Sequence, residues 1–174
     1  MRASLTQLHS ASTIKYIYMK ILMICFGNIC RSPLAEGVMR QLIEDENLDW
    51  EVASAATGDV CVGEPADPRS VAIAKQYGYD ISNQRVRRLT LEMLDDYDYI
   101  LTMDRNNFNA VTEIAQTDQQ RKKVGLFLKD DLEVFNPFFS DDAFERVFLQ
   151  IEERVKSLMQ ELKLQNSDPV YGRS

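Results

Sequence analysis

The chain has 174 residues and a formal net charge of −7, from 20 Lys and Arg against 27 Asp and Glu. This length predicts one domain with a sizeable core, and an apolar fraction of 45% excludes a disordered chain. The acidic balance disfavours a nucleic-acid partner, and no apolar run approaches the ~18 residues of a membrane span.

The first part of the chain predicts an extension followed by a strand and a helix. Residues 1–18 show no clear period, so we expect an extension that is poorly ordered or lies on the surface. The continuous apolar run at 21–26 predicts a strand that is buried on both faces. Ser32 and Pro33 then predict the N-cap and first residue of a helix that ends near Asn47.

The rest of the chain continues the alternation of strands and helices. We predict a strand at 50–55, a helix opened by Asp67-Pro68 that ends near 78, a strand at 97–103, a helix that Asp104 caps and that ends near 116, and a fourth strand at 124–128. Apolar residues three and four positions apart between Phe144 and Leu162 predict a last, core-facing helix.

This alternation predicts an α/β fold. Strands that are separated by helices form βαβ crossovers, which place the strands in a parallel sheet. We expect one domain over 19–164, because no linker or repeat interrupts it, and a polar C-terminal tail over 165–174.

The segment between the first strand and the first helix has the chemistry of an anion site. Backbone N–H groups of such a loop and the N-terminus of the following helix attract anions. Gly27 permits close backbone approach, and Asn28 tolerates a left-handed conformation. Arg31 can hold two phosphate oxygens, and the same positive potential favours the thiolate form of Cys25. Ser32 can hydrogen-bond that thiolate as well as cap the helix.

The few cysteines and the single histidine exclude several other kinds of site. Cys25, Cys30, Cys61 and His9 are too few for a disulfide framework, and their spacing fits no zinc motif. We therefore expect no metal, and a protein of the reducing cytoplasm. His9 lies in a polar stretch that is typical of solvated residues. A nucleophile in this chain must therefore be activated by something other than an imidazole.

The segment Cys25-Phe26-Gly27-Asn28-Ile29-Cys30-Arg31-Ser32-Pro33 strongly resembles the signature of the low-molecular-weight protein tyrosine phosphatases. Four later stretches, at 54–57, 63–70, 98–104 and 136–139, are similar to further motifs of that family, so the resemblance covers about 19–164. It implies a three-layer fold with a four-stranded parallel sheet flanked by helices. The phosphate-binding loop would follow strand one, and neither a cofactor nor a metal would be needed.

The resemblance also implies a role for each residue of the site. Cys25 would form a cysteinyl-phosphate, and Arg31 would stabilise the transferred phosphoryl group together with the loop, whose phosphate-binding residues would be Phe26, Gly27, Asn28, Ile29, Cys30, Arg31 and Ser32. Ser54 and Asp104 would support the loop. The partners would be phosphotyrosine proteins or peptides, small aryl phosphates, and phosphate or other oxyanions, and neither nucleic acid nor a membrane.

The chain departs from the family at the position of the general acid. Asn136 stands where the family has an Asp before Pro, and an amide cannot protonate a leaving phenolate. Loss of general acid catalysis typically costs about 10²–10⁴-fold in rate. The acidic pairs at 130–131 and 141–142 are alternative donors, although hydrogen-bond reach is a demanding condition. Asn136 is also expected to serve as the turn residue before Pro137.

Two further expectations concern the rim of the site and the second cysteine of the loop. Phe138 and Phe139 replace tyrosines that are common in the family and keep an aromatic wall, whereas Val60 and Cys61 make the opposite rim less aromatic. Cys30 is expected to form a disulfide with an oxidised Cys25.

Three alternatives to a phosphotyrosine hydrolase remain at this point. Asn136 favours a catalytically impaired module that binds phosphotyrosine. A thiol-linked arsenate reductase shares the loop but needs resolving cysteines in a later segment, and no Cys follows Cys61. A protein-arginine phosphatase branch of the same family tends to have Thr where this chain has Ile29, which crowds a branched guanidinium.

Overall fold

The computed structural model describes residues 16–167 and contains a four-stranded sheet. The strands are β1 (Met19–Cys25), β2 (Trp50–Ala56), β3 (Tyr99–Thr102) and β4 (Val124–Leu126). They lie in the order β2-β1-β3-β4, and all three pairings are parallel. The predicted α/β fold with a four-stranded parallel sheet is confirmed.

Within residues 16–167, six helices surround the sheet. They are α1 (Arg31–Asp45), α2 (Pro68–Gln76), α3 (Leu91–Asp96), α4 (Arg105–Ile114), α5 (Asp118–Lys122) and α6 (Phe144–Gln165). Two single 3₁₀ turns, Pro137–Phe139 and Asp141–Ala143, precede α6. The sequence analysis did not find α3 and α5, because five or six residues are too few to show a helical period.

The sheet separates two apolar clusters, which makes the three layers. Ile21 and Met23 of β1 face the larger cluster with α1, α2 and α6, whereas Leu22 and Ile24 face the smaller cluster with α3 and α4. Successive side chains of a strand point to opposite faces, so a central strand is apolar at every position. This is the physical reason for the continuous apolar run at 21–25. The predicted bounds 21–26 are wrong at both ends, because β1 begins at Met19 and Phe26 lies in the loop after it, 57% exposed.

The predicted start of the first helix is wrong. Helix α1 begins at Arg31 with Cys30 in the cap position, and no side chain caps it. Ser32 lies inside the first turn, and its Oγ is 3.0 Å from Cys25 Sγ. Pro33 fits there as the third helical residue, because the first four N–H groups of a helix have no intrahelical partner. Asp104, by contrast, caps α4 as predicted and accepts from Asn107 N.

The predicted strands 97–103 and 124–128 are longer than the observed strands. β3 begins only at Tyr99, because the carboxylate of Asp98 accepts the N–H of Lys20 at 2.8 Å. β4 ends at Leu126, although Phe127 and Leu128 are buried after it. An apolar run therefore indicates which residues are buried. Here the buried run continues past the end of the strand.

Parts of both predicted tails contact each other next to the sheet. Ile17 N donates to Asn166 O at 3.1 Å, and Tyr16 forms a bridge with Ser167. The indole Nε1 of Trp50 donates to Ile17 O at 3.0 Å. His9 lies outside the described residues, and the domain limits 19 and 164 stay predictions. Within 16–167, no helix has the length and apolar character that a membrane crossing requires.

Candidate active site

The 25–31 loop curls around the sulfur of Cys25 at the carboxyl end of β1. Asn28 adopts a left-handed conformation with φ of 51°, as its sequence context predicted. This turn aims Asn28 N at Cys25 Sγ over 3.2 Å, while Ser32 Oγ approaches the same sulfur at 3.0 Å. Two groups thus surround the sulfur at hydrogen-bond distance, and both can donate to a thiolate.

The side chain of Asn28 determines which way the Ser32 hydroxyl points. Asn28 Nδ2 donates to Ser32 Oγ at 2.9 Å and to Ser54 Oγ at 2.8 Å. Because Ser32 Oγ accepts there, its own hydrogen is free to point toward Cys25 Sγ. Asn28 Oδ1 accepts from Arg87 N at 3.1 Å, so all the polar atoms of the amide have partners.

A buried carboxylate lies behind this network. Ser54 Oγ donates to Glu36 Oε2 at 2.5 Å, and Glu36 Oε1 accepts from Arg40 Nη1 at 3.0 Å. Glu36 lies on α1 and is buried beside the loop that it supports. Ser54 was predicted as a supporting residue, but Glu36 was not, since an acidic residue near the start of a helix is ordinarily a surface residue.

Arg31 is held in place from the side of β3. Its guanidinium is 3% exposed, and Nη1 donates to Asp104 Oδ2 at 2.7 Å and to Val134 O at 2.9 Å. Asp104 also accepts from Asn107 N at 2.8 Å, which fixes the carboxylate. A buried Arg is stable only with such hydrogen-bond partners. Asp104 and Val134 O both bind the same nitrogen of the planar guanidinium, Nη1. The remaining N–H groups can bind an anion.

Asn107 was also missed by the sequence analysis. With its amide oriented as the neighbouring groups require, Asn107 Oδ1 accepts from Phe26 N at 3.2 Å and its nitrogen donates to Asp104. It therefore joins the loop to the residue that holds Arg31. Its position three residues after the Asp104 cap was the only local signal, and that signal indicates a helix start rather than a site.

A cavity of about 220 Å³ opens above the loop. Its lining residues belong to the loop, to the 60–61 turn and to the segment before α6: Cys25, Phe26, Gly27, Ile29, Cys30, Arg31, Val60, Cys61, Asn136, Phe138 and Phe139. The structure thus brings the predicted nucleophile, phosphate loop and rim together. Arg31 is the one charged residue among them, so the bottom of the cavity is positive and its wall is apolar.

Asn136 occupies the mouth of this cavity and also begins a 3₁₀ turn. Its Oδ1 accepts from Phe138 N at 3.3 Å, which confirms the predicted turn role. The rings of Phe138 and Phe139 meet edge to face, with 4.9 Å between their centroids. Phe139 is 88% exposed, which leaves an aromatic surface at the entrance.

Cys30 lies in a different environment from the nucleophile. It is buried, and its Sγ is 3.8 Å from Asp67 Oδ2. Burial, followed by the charge of Asp67, raises the pKa of Cys30 to about 12. Cys30 is therefore a protonated thiol at neutral pH.

Other parts of the described chain offer less chemistry. A larger polar groove of about 570 Å³ runs along α1 between Glu36, Arg40 and Arg87, and it contains no nucleophile. No three His, Cys, Asp or Glu side chains between residues 16 and 167 are placed to hold a metal ion. The three cysteines are free.

Comparisons with known proteins agree with this arrangement. Residues 20–168 match the family described as low molecular weight phosphotyrosine protein phosphatase. A Sus scrofa protein of that name is 32% identical over 151 residues, which are 82% of this chain and 95% of the relative. The structure of an Entamoeba histolytica protein tyrosine phosphatase with Hepes in the active site has a TM-score of 0.78 at 29% identity, covering 84% of this chain and 98% of that one. Vibrio vulnificus Wzb in complex with benzylphosphonate has a TM-score of 0.75 at 31% identity, covering 83% and 99%.

Proposed function

The chain belongs to the low molecular weight phosphotyrosine protein phosphatase family, and we propose that it hydrolyses phosphotyrosine and small aryl phosphates through a cysteinyl-phosphate on Cys25. The observation that carries this proposal is the placement of Cys25 Sγ and the buried Arg31 guanidinium at the bottom of one cavity with an apolar wall. A nucleophile beside an anion-binding fork is the minimum that phosphoryl transfer requires.

In the first step, Cys25 Sγ attacks phosphorus in line with the phenolic oxygen. The S–P bond forms, the P–O bond to the ring breaks, and Arg31 with the loop N–H groups stabilises the transferred oxygens. In the second step, water attacks phosphorus and the S–P bond breaks; inorganic phosphate leaves with both protons of the water, and the sulfur departs as the Cys25 thiolate. Neither step requires a residue outside this chain.

The nucleophile is activated by hydrogen bonds and by positive potential. The N–H of Asn28 and the hydroxyl of Ser32 face Cys25 Sγ, and Arg31 is nearby in the same cavity. These groups are placed to donate hydrogen bonds to the sulfur while it acts as the nucleophile. This explains how a chain with a single histidine can use a cysteine nucleophile.

Asn136 makes the first step depend on the leaving group. It lines the cavity above Cys25 and Arg31, we place the departing phenolic oxygen beside it, and its amide supplies no acidic proton. Phenolates that are stable as anions leave readily, whereas the tyrosine oxygen leaves slowly. We therefore propose a slow phosphatase rather than an inactive one.

The cavity wall favours an aromatic phosphate ester as substrate. Ile29, Val60 and Phe138 are the apolar groups that a planar ring would contact above the phosphate. In a family relative, Vibrio vulnificus Wzb, the bound benzylphosphonate joins a ring to a phosphonate. We propose phosphotyrosine proteins or peptides as partners, and the cytoplasm as the location, because the chain holds three free cysteines.

The second candidate function is a module that binds phosphotyrosine without hydrolysing it, and Asn136 is the observation that favours it. Turnover of para-nitrophenyl phosphate separates the two functions. We expect turnover by the wild-type chain, none by Cys25→Ser, and unchanged turnover by the control Ser157→Ala, which changes an exposed side chain on α6. Tight binding of a phosphotyrosine peptide without turnover by the wild type would support the binding module.

A further inference from the structure

Arg69 connects the 25–31 loop to the segment that forms the outer wall of the cavity. It lies in the first turn of α2, two residues after the cap residue Asp67. Its Nε and Nη2 donate to the two carboxylate oxygens of Asp67 at 3.0 and 2.7 Å. This bidentate ion pair fixes the plane of the guanidinium, because two parallel hydrogen bonds leave the group little freedom to rotate.

Asp67 is itself fixed to the loop. It is 8% exposed, its N–H donates to Ile29 O at 2.9 Å, and its carboxylate accepts from Cys30 Sγ at 3.8 Å. The Asp67–Arg69 pair therefore keeps a constant position relative to the bottom of the cavity.

The remaining nitrogen of Arg69 reaches the wall. Nη1 donates to Phe138 O at 3.1 Å and to the carboxylate of Asp141. The guanidinium also lies 5.5 Å from the centroid of the Phe138 ring and 4.5 Å from that of Phe144. A cation that is both hydrogen-bonded and placed over aromatic rings holds its neighbours more firmly than a lone surface ion pair does.

The wall segment, residues 136–142, has few other attachments. Within residues 16–167, the hydrogen bonds that join this segment to elements other than the adjoining α6 all come from Arg69. Asn136 and Phe138 of the same segment line the cavity. Val134, two residues before this segment, is fixed by Met103 O and Arg31, so Arg69 is the hydrogen-bonding attachment on the far side of Asn136 and Phe138.

We propose that Arg69 is a positioning residue for the leaving-group side of the site, where it holds the 136–142 segment over the cavity. This inference rests on the proposed phosphatase function. Arg69 contacts the wall and not the phosphate position, since it is absent from the cavity lining and Arg31 alone supplies the charge there. Its effect is on the ring and the leaving oxygen of the substrate.

The test compares Arg69→Met and Arg69→Lys with the control Arg121→Met. Arg121 also binds one Asp and one backbone carbonyl, Asp118 and Ala115 O, but in the remote α5. We expect Arg69→Met to lower kcat/KM for a phosphotyrosine peptide about tenfold, in line with the loss of charged hydrogen bonds. The inhibition constant of inorganic phosphate should stay within about twofold, because its ligands remain. Arg69→Lys should recover part of the loss, and Arg121→Met should show none.

A second readout distinguishes positioning from general destabilisation. Combined with Asn136→Asp, Arg69→Met should reduce the gain that the new carboxyl gives on a poor leaving group. Equal losses of phosphate affinity and peptide turnover would overturn the proposal, and so would unchanged peptide turnover. If the wild type hydrolyses no aryl phosphate, the proposed function fails. The role of Arg69 is then judged from binding: peptide affinity must fall while phosphate affinity holds.

Discussion

Asn136 is the residue that makes the rate of the proposed reaction depend on the leaving group. It lies at the mouth of the cavity and is held by its own turn through Phe138 N. Replacing its amide with a carboxyl changes one atom of the side chain, so the turn can persist. The position is therefore suited to a clean test of proton donation.

We predict that Asn136→Asp accelerates the hydrolysis of esters with poor leaving groups. The gain should be about tenfold or more for phenyl phosphate or a phosphotyrosine peptide, and small for para-nitrophenyl phosphate, because only the basic phenolates need a proton. The pH–rate profile should gain a descending limb as the carboxyl ionises. Steady-state kinetics over a series of aryl phosphates measures this. An unchanged dependence on leaving-group pKa would show that position 136 is not the acid position.

Cys30 is expected to react slowly with an oxidised Cys25. Its raised pKa, about 12, means that the thiolate fraction increases about tenfold per pH unit throughout the neutral range. Mild peroxide should convert Cys25 to a sulfenic acid, and Cys30 should then displace water to form the disulfide, faster at higher pH. Mass spectrometry of peroxide-treated Cys61→Ser protein measures the Cys25–Cys30 disulfide. Overoxidised Cys25 beside a free Cys30 at every pH would contradict the prediction.

At the scale of elements, the loop geometry depends on contacts from β2 and α1. Ser54 of β2 lies between Asn28 and Glu36, and it accepts a hydrogen bond from one and donates to the other. Because both partners are buried, removing the hydroxyl leaves two groups with an unmet hydrogen bond. The strand thus determines how well the loop is ordered.

We predict that Ser54→Ala lowers the free energy of unfolding by about 1–3 kcal/mol and weakens inhibition by inorganic phosphate. The phosphate effect follows because Asn28 loses an acceptor and Ser32 loses part of its orientation. Urea unfolding and phosphate inhibition measure the two effects. Ser157→Ala is the control, since Ser157 is an exposed serine of α6 with hydrogen bonds to Arg154. Equal behaviour of the two variants would show that the network has no role in the loop.

At the scale of the whole molecule, stability depends on carboxylates that are paired in the folded state. Hydrogen bonds from Arg69 lower the pKa of Asp67. Burial acts to raise the pKa of Glu161, but hydrogen bonds from Lys129 and Arg154 outweigh it, so the pKa of Glu161 is lowered. A carboxyl whose pKa is lower in the folded state stabilises that state at every pH above its unfolded-state pKa. This stabilisation is lost as the pH falls through the folded-state pKa.

We predict that Tm is nearly constant between pH ~5 and ~8 and falls as pH decreases from ~5 toward ~3, because protonation of these carboxylates favours the unfolded chain. Glu161→Gln should flatten this decrease, whereas Glu113→Gln, at a residue exposed on α4, should not. Thermal unfolding followed by circular dichroism over this pH range measures both. A wild-type Tm that does not change between pH 5 and 3 would contradict the prediction.

Local patterns determined the order of the elements and the identity of the reactive loop. The apolar run at 21–26, the segment Cys25–Pro33 and the stripe of α6 are each contiguous or periodic, so a single stretch of chain shows them. The family motifs are also contiguous stretches of sequence, so they indicated the fold class as well. The short helices α3 and α5 were not predicted, because they are too short to show a period. The start of α1 was predicted at the wrong residue, because Ser32 hydrogen-bonds across the loop instead of along the helix.

Only the tertiary structure determined what holds the site together. Arg31 and Asp104 are 73 residues apart, and Arg69 and Asp141 are 72 apart. Glu36 reaches the loop through Ser54 of a different strand. Such pairs form because parallel strands bring their carboxyl ends to one edge of the sheet, and nothing in the local sequence specifies which side chains meet there. The sequence alone therefore predicted the nucleophile, its loop and, through the family motifs, the supporting residues Ser54 and Asp104, whereas only packing showed that Glu36, Asn107 and Arg69 join them.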